Sequence, residues 1–201
     1  MSAIQPSEIT IQRLNELRGC RTLADFVPLR AKELPQKTAL CQYDRLERDW
    51  VHVTYGELQE KITAWRRALA ALNLKRGARV AILLNNSVNA VLADQSVMAQ
   101  ALIPVPLHAI DTPGSLSFIL GDSGAECLIT SKLERWEAIV SAGSVPQALK
   151  TVVLTEEATP AGQMPPGPRV LGLEDWLALG NDVSDSCLLY TSPSPRDRTR
   201  S

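Results

Sequence analysis

The chain has 201 residues, 45% hydrophobic and 21% charged, with a formal net charge of −1. That leaves room for one domain or slightly more and matches an ordinary globular composition. It gives no electrostatic case for nucleic acid or an anionic membrane, and an aromatic content of 4% argues against a base-stacking platform. No apolar run reaches the roughly 20 residues of a membrane-spanning helix, and the start M-S-A-I-Q-P-S-E-I-T lacks the basic and apolar regions of a signal peptide. Cys20, Cys41, Cys127 and Cys187 follow no metal signature and no disulfide framework, so a reduced, cytoplasmic setting is expected.

Residues 6–34 show helical spacing at Ile11, Leu14 and Leu17, then at Leu23, Phe26 and Val27, with Pro35 as punctuation. Residues 38–43 and 50–54 read as two short strands, a hairpin ahead of the main unit. Thr54-Tyr55-Gly56-Glu57 has the form of a capping box. The helix it opens carries Leu58, Ile62, Trp65, Leu69 and Leu72 on one stripe. Gly77 ends the connection to residues 80–84, an apolar run expected of a strand buried on both faces.

Ser87 is placed to cap a helix over residues 88–100, with Val88, Val91, Leu92 and Ala99 inward. Residues 102–107 are the next strand. Pro104 and Pro106 sit two apart, so both missing amides fall on one side and the strand belongs at an edge. Thr112 and Pro113 form an N-cap and first-turn pair ahead of Leu116, Ile119 and Leu120. Residues 126–130 read as a strand, 132–140 as a helix, 151–155 and 169–172 as strands, and 173–179 as a short helix. The stretch A-T-P-A-G-Q-M-P-P-G-P, residues 158–168, is a loop by composition. Such alternation predicts an α/β fold: a mainly parallel sheet with flanking helices.

Several words along this path resemble the adenylate-forming enzymes, the acyl-CoA synthetases in particular. They are T-Y-G-E-L at 54–58, G-A-R-V-A-I-L-L-N-N-S at 77–87, V-P-L at 105–107 and D-S-G-A-E-C-L-I-T at 122–130. The words H-A-I-D-T-P-G-S-L-S-F-I-L at 108–120 and L-A-D-F at 23–26 look closest to long-chain fatty acid–CoA ligases. The likeness covers about residues 23–155, and Ala78 stands where the family usually has an acidic residue. It implies an incomplete N-terminal subdomain of an enzyme that activates a carboxylate with MgATP and passes the acyl group to a thiol, usually that of CoA. ATP, Mg2+, CoA and a fatty acid are therefore the implied cofactors and partners of the parent protein, with peripheral membrane contact conceivable and no nucleic acid. In that family the phosphate loop, the later acidic motifs and a C-terminal lysine carry the chemistry, and none of them falls on the matched words. No catalytic, cofactor-binding or metal residue is assigned.

Residues 187–201 are set apart. C-L-L-Y-T-S-P-S-P-R-D, residues 187–197, reads as the translation of a transposon end and adapter used for sequencing libraries. Tyr190-Thr191-Ser192 imitates the opening of the family's Y-T-S-G-T-T-G phosphate loop. Pro193, Ser194, Pro195 and Arg196 follow, without the glycine that lets backbone amides converge on an anion. The expected organisation is an incomplete AMP-binding domain over residues 1–186 and a non-native tail over 187–201, with no ligase activity in the chain itself.

The chemically tempting residues have structural alternatives. His52 and His108 show no readable partner in the sequence. Asp111 stands beside Thr112-Pro113 as a helix-entry residue, and Asn85-Asn86-Ser87 as a helix cap. Lys132 and Arg135 follow the L-I-T strand, at the end where open α/β sheets bind ligands, and also fit a solvated helix face. Two other functions remain open: a different carboxylate activator (a fatty acid–AMP ligase or a peptide-synthetase adenylation module), or a self-contained, non-catalytic α/β binding module.

Overall fold

The computed structural model describes residues 20–45, 47–161, 167–184 and 188. A short 3-10 turn at Leu23–Asp25 leads into α1, Phe26–Glu33. The hairpin follows as β1, Thr38–Asp44, and β2, Asp49–Thr54. Next come α2, Tyr55–Ala71; β3, Arg79–Leu83; α3, Val88–Ala99; β4, Ile103–Pro106; and α4, Pro113–Ser123. The rest are β5, Cys127–Thr130; α5, Leu133–Ala142; β6, Thr151–Leu154; β7, Arg169–Gly172; and α6, Leu173–Ala178.

β3 to β7 form one sheet in the order β4-β3-β5-β6-β7, every pair parallel. Because strand residues alternate between faces, each strand feeds two cores. Val80, Ile82, Cys127, Ile129 and Val153 join one core with α2 and α3. Ala81, Leu83, Leu128, Val152 and Leu154 join the other with Leu116 and Leu120 of α4 and Trp136 and Ile139 of α5. The architecture is helix, sheet, helix in three layers. It explains the unbroken apolar runs: a strand covered on both faces has no position at which a polar side chain reaches water.

β4 is the edge strand that Pro104 and Pro106 demand. The flanking Ile103 and Leu107 amides donate to Ala78 and Ile82 carbonyls at 2.9 Å each, so the two prolines fall on the side that pairs with no strand among the described residues. All three expected caps are present. Thr54, Ser87 and Thr112 accept from the amides of Glu57, Ala90 and Ser115 at 3.2–3.3 Å. Glu57 returns a carboxylate to the Thr54 amide at 2.8 Å, closing the capping box. Gly77 turns into β3 with φ +77 and Gly124 ends α4 with φ +60, both left-handed conformations that suit glycine.

The expected helical faces shift in two places. In α3 the fully buried arc is Leu92, Ala93, Ser96 and Val97, whereas Val88, Val91 and Ala99 are half-buried. Ser96 fits there because its hydroxyl donates back to the Leu92 carbonyl. Leu23 and Phe26 are 65% and 40% exposed, whereas Val27 packs on the core. The spacing at Ile11, Leu14 and Leu17 lies outside the described residues. So does the tail after 186 except Leu188, which is buried. No helix among the described residues is long and apolar enough to cross a membrane.

Candidate functional site

Strand order in the sheet reverses at β3: the chain moves from β3 out to β4, then returns across β3 to β5. In open parallel sheets the carboxyl ends of the strands at such a reversal form a natural crevice. Here that end carries Asn85, Asn86 and Ser87 after β3, and Ser131 and Lys132 after β5. The hairpin leans toward it. The Gln42 side-chain carbonyl accepts from the Val88 amide at 2.6 Å, tying β1 to the first turn of α3. Between hairpin and strand end lies an open groove of about 910 Å³. Its walls include Tyr43 and Trp50 from the hairpin, Asn85, Asn86 and Asn89 from the β3–α3 junction, and Glu156 after β6.

A second cleft of about 360 Å³ lies at the carboxyl ends of β6 and β7, lined by Glu156, Glu157, Glu174 and Asp175. Two of these carboxylates already have partners. Glu157 accepts from the Leu133 amide at 2.7 Å, and Asp175 accepts from the Thr159 hydroxyl. Gly172 closes this corner, because a Cβ there would stand 2.5 Å from the Thr159 amide nitrogen. Nearby, the Thr130 and Thr155 hydroxyls are buried at the ends of β5 and β6 without hydrogen-bond partners among the described residues.

Each sequence-flagged residue has a definite place. Asn85, Asn86 and Ser87 both cap α3 and line the groove, so the structural and functional readings coincide there. His108 is exposed after β4, and its carbonyl accepts from the Asp111 amide at 3.0 Å. Asp111 thereby occupies the turn that enters α4. Lys132 is the exposed N-cap residue of α5, whose first amide is taken by Glu157. His52 has a partner that reading along the sequence missed. It lies directly across the hairpin from Cys41, with Sγ 3.2 Å from Nδ1. Eleven positions separate the two, so only the strand register brings them together.

Among the described residues no set of three or more His, Cys, Asp or Glu could hold a metal ion. The glycines with positive φ serve a turn and a helix end, not a phosphate cradle.

The family model described as AMP-binding enzyme matches residues 28–192. The chain belongs to the AMP-binding enzyme family. The match begins inside α1, spans the whole sheet and runs to Ser192, through Tyr190-Thr191-Ser192. Among curated relatives, the chain is 32% identical over 103 residues to a naringenin synthase of Pestalotiopsis fici, covering 51% of this chain and 4% of that protein. It is 32% identical over 119 residues to nonribosomal peptide synthetase 8 of Aspergillus fumigatus, covering 58% of this chain and 1% of that one.

Two solved structures share the fold. An anthranilate CoA ligase in complex with anthranoyl-AMP aligns with a TM-score of 0.64 at 22% identity, over 77% of this chain and 27% of its own. The inhibitor-bound N-terminal domain of FACL13 from Mycobacterium tuberculosis aligns at 0.62 and 19%, over 82% of this chain and 36% of its own. The chain thus spans only a small part of each protein it matches. The α/β sheet described above has the fold that these two structures share.

Proposed function

We propose that residues 1–186 are the N-terminal scaffold of an AMP-forming acyl-CoA synthetase that activates a fatty acid, and that residues 187–201 are a non-native tail. The observation that carries the family is the match over residues 28–192. What favours the fatty acid branch within it is the wording H-A-I-D-T-P-G-S-L-S-F-I-L at 108–120. In this reading the carboxylate would displace pyrophosphate from ATP to form an acyl-adenylate, CoA would then displace AMP to give the thioester, and Mg2+ would balance the phosphate charge. The parent protein works in a reduced, cytoplasmic setting. The residues described here hold the strand ends of β3 and β5 in register and carry none of the reacting groups.

A second reading has its own support. Both curated relatives are 32% identical, and one is named a peptide synthetase, so an adenylation module acting on another carboxylate fits the same family match. The deciding experiment uses the genomic reading frame that encodes residues 1–186, expressed to its natural stop. Pyrophosphate exchange into ATP is measured with long-chain fatty acids, aryl acids and amino acids in turn, followed by thioester formation with CoA. Fatty acid–dependent exchange with acyl-CoA product is expected. Exchange with amino acids alone and no CoA product would replace the first reading by the second. Uninterrupted genomic DNA encoding C-L-L-Y-T-S-P-S-P after codon 186 would remove the non-native tail from the proposal.

A further inference from the structure

The hairpin carries chemistry that the sheet does not use. Cys41 faces His52 across the two strands, and Tyr43 faces Trp50 one step further along. Residues two apart on a strand share a face, so all four side chains stand on the same side of the ribbon. All four are exposed. Tyr43 and Trp50 meet edge to face with centroids 5.6 Å apart, and Cys41 Sγ lies 3.2 Å from His52 Nδ1. A nucleophile within hydrogen-bond reach of a base is the arrangement that activates a thiol. Neither Cys41 nor His52 is needed by the core, because neither belongs to the buried clusters.

We propose that Cys41 and His52 form a thiol-modification site that takes small-molecule disulfides. The step is thiol–disulfide exchange. Cys41 Sγ forms a bond to one sulfur of the reagent, the reagent's S–S bond breaks, and its other sulfur leaves with the electron pair as a thiolate. His52 Nδ1 receives the thiol proton as Sγ attacks and then yields it to the leaving thiolate. The net change is one thiol and one disulfide converted into a mixed disulfide on Cys41 and one free thiol, with no other oxidant. Cys127 is the internal contrast. It is fully buried, and burial pushes its thiol up to about 12, so it stays inert at neutral pH.

The adduct would stand beside Trp50, which is 58% exposed, whereas Trp65, Trp136 and Trp176 are buried. Modification therefore reports in the emission of a single accessible tryptophan.

The test uses the full 201-residue chain carrying Cys20→Ser and Cys187→Ser, leaving Cys41 and Cys127. Oxidised glutathione is the probe, followed by intact mass and Trp emission at pH 7.4. One adduct per chain is expected, mapped to Cys41. With His52→Gln the rate should fall on the order of tenfold, less than the 10²–10⁴-fold typical of an enclosed general base because this pair is exposed. The exchanged pair Cys41→His with His52→Cys keeps the two groups opposite each other and should restore the rate at position 52, which a merely structural role for His52 would not do. Circular dichroism of each variant confirms the fold. An adduct formed no faster than on the urea-unfolded chain would overturn the proposal. So would an unchanged rate with His52→Gln, or an exchanged pair as slow as that single variant.

Discussion

The five-stranded sheet and the two-stranded hairpin hold their strands in opposite ways. In the sheet, β5 and β6 are buried at every position, each apolar residue serving one of two cores. Among the described hairpin residues only Val53 is buried, and Tyr43, Trp50 and Val51 stand in solvent. A two-stranded ribbon is marginal alone, so the hairpin depends on what it leans against. Its ties are the Gln42–Val88 bond to α3 and the packing of Ala39, Leu40 and Val53 on the α2 side of the sheet. The sheet is thus the folding unit, and the hairpin is an accessory held in place over the carboxyl ends of the strands.

The largest test of that division compares two tryptophans. Trp176 has no exposed surface and stands edge to face with Trp65 at 5.1 Å. Trp176→Ala should cost about 3–5 kcal/mol by loss of packing and creation of a cavity. Trp50→Ala removes a ring of similar size from the hairpin face and should cost under about 1 kcal/mol, mostly the lost pairing with Tyr43. Urea midpoints of the two variants measure the contrast. Equal losses would show that the hairpin belongs to the cooperative core.

Gly172→Ala gives an intermediate effect at the far end of the sheet. The added methyl meets the backbone of residues 157–159, which cannot rotate away as a side chain would. A loss of about 1–3 kcal/mol is expected from overpacking. A thermal melt within error of wild type would mean that the loop yields and does not brace β7.

The same division governs how much was legible in sequence. Apolar runs, the stripe from Leu58 to Leu69 and the three caps are local patterns, and each marks its own element. The edge position of β4 was legible too, because two prolines two apart leave one side of a strand without donors. By contrast, the opposition of Cys41 to His52 depends on how a hairpin closes, and the polar loop between its strands fits more than one register. The burial of Ser96 was hidden because its hydroxyl is satisfied by its own helix. Of the groove, Asn85, Asn86 and Ser87 were visible as a cap, but their meeting with Tyr43 and Trp50 depends on Gln42 reaching forty-six residues ahead. That tie predicts that Gln42→Ala costs about 0.5–1.5 kcal/mol, the usual value of one hydrogen bond. Trp50 should become more accessible to iodide in that variant. Unchanged quenching would show that packing alone holds the hairpin.

The junction between the two regions is Thr54, last residue of the hairpin and cap of α2, and here the smallest effect separates them by pH. Glu57 is held below its usual carboxylate range, first by the Thr54 amide at 2.8 Å, then by the Thr54 hydroxyl, with Lys61 adding attraction. A carboxylate depressed on folding stabilises fully above its unfolded value near 4.5, and that contribution is lost as pH falls through the lower folded value. Cys127 runs the other way. Its thiol is raised from 9.0 to about 12, so the folded chain keeps a proton that the unfolded chain releases. The stability it contributes is complete below pH 9.0 and is lost as pH rises toward 12. Glu57→Gln should therefore be less stable than wild type at pH 6 and converge with it under acid. Cys127→Ala should remove part of the alkaline loss and leave the acid limb unchanged. Thr54→Ala takes away the cap at a cost of about 1 kcal/mol and should flatten part of the acid limb as well, because it deletes the hydroxyl that helps hold Glu57 ionised. Matching acid limbs in wild type and Glu57→Gln would place the source of acid sensitivity elsewhere, and the joint would then be held by packing and not by its cap.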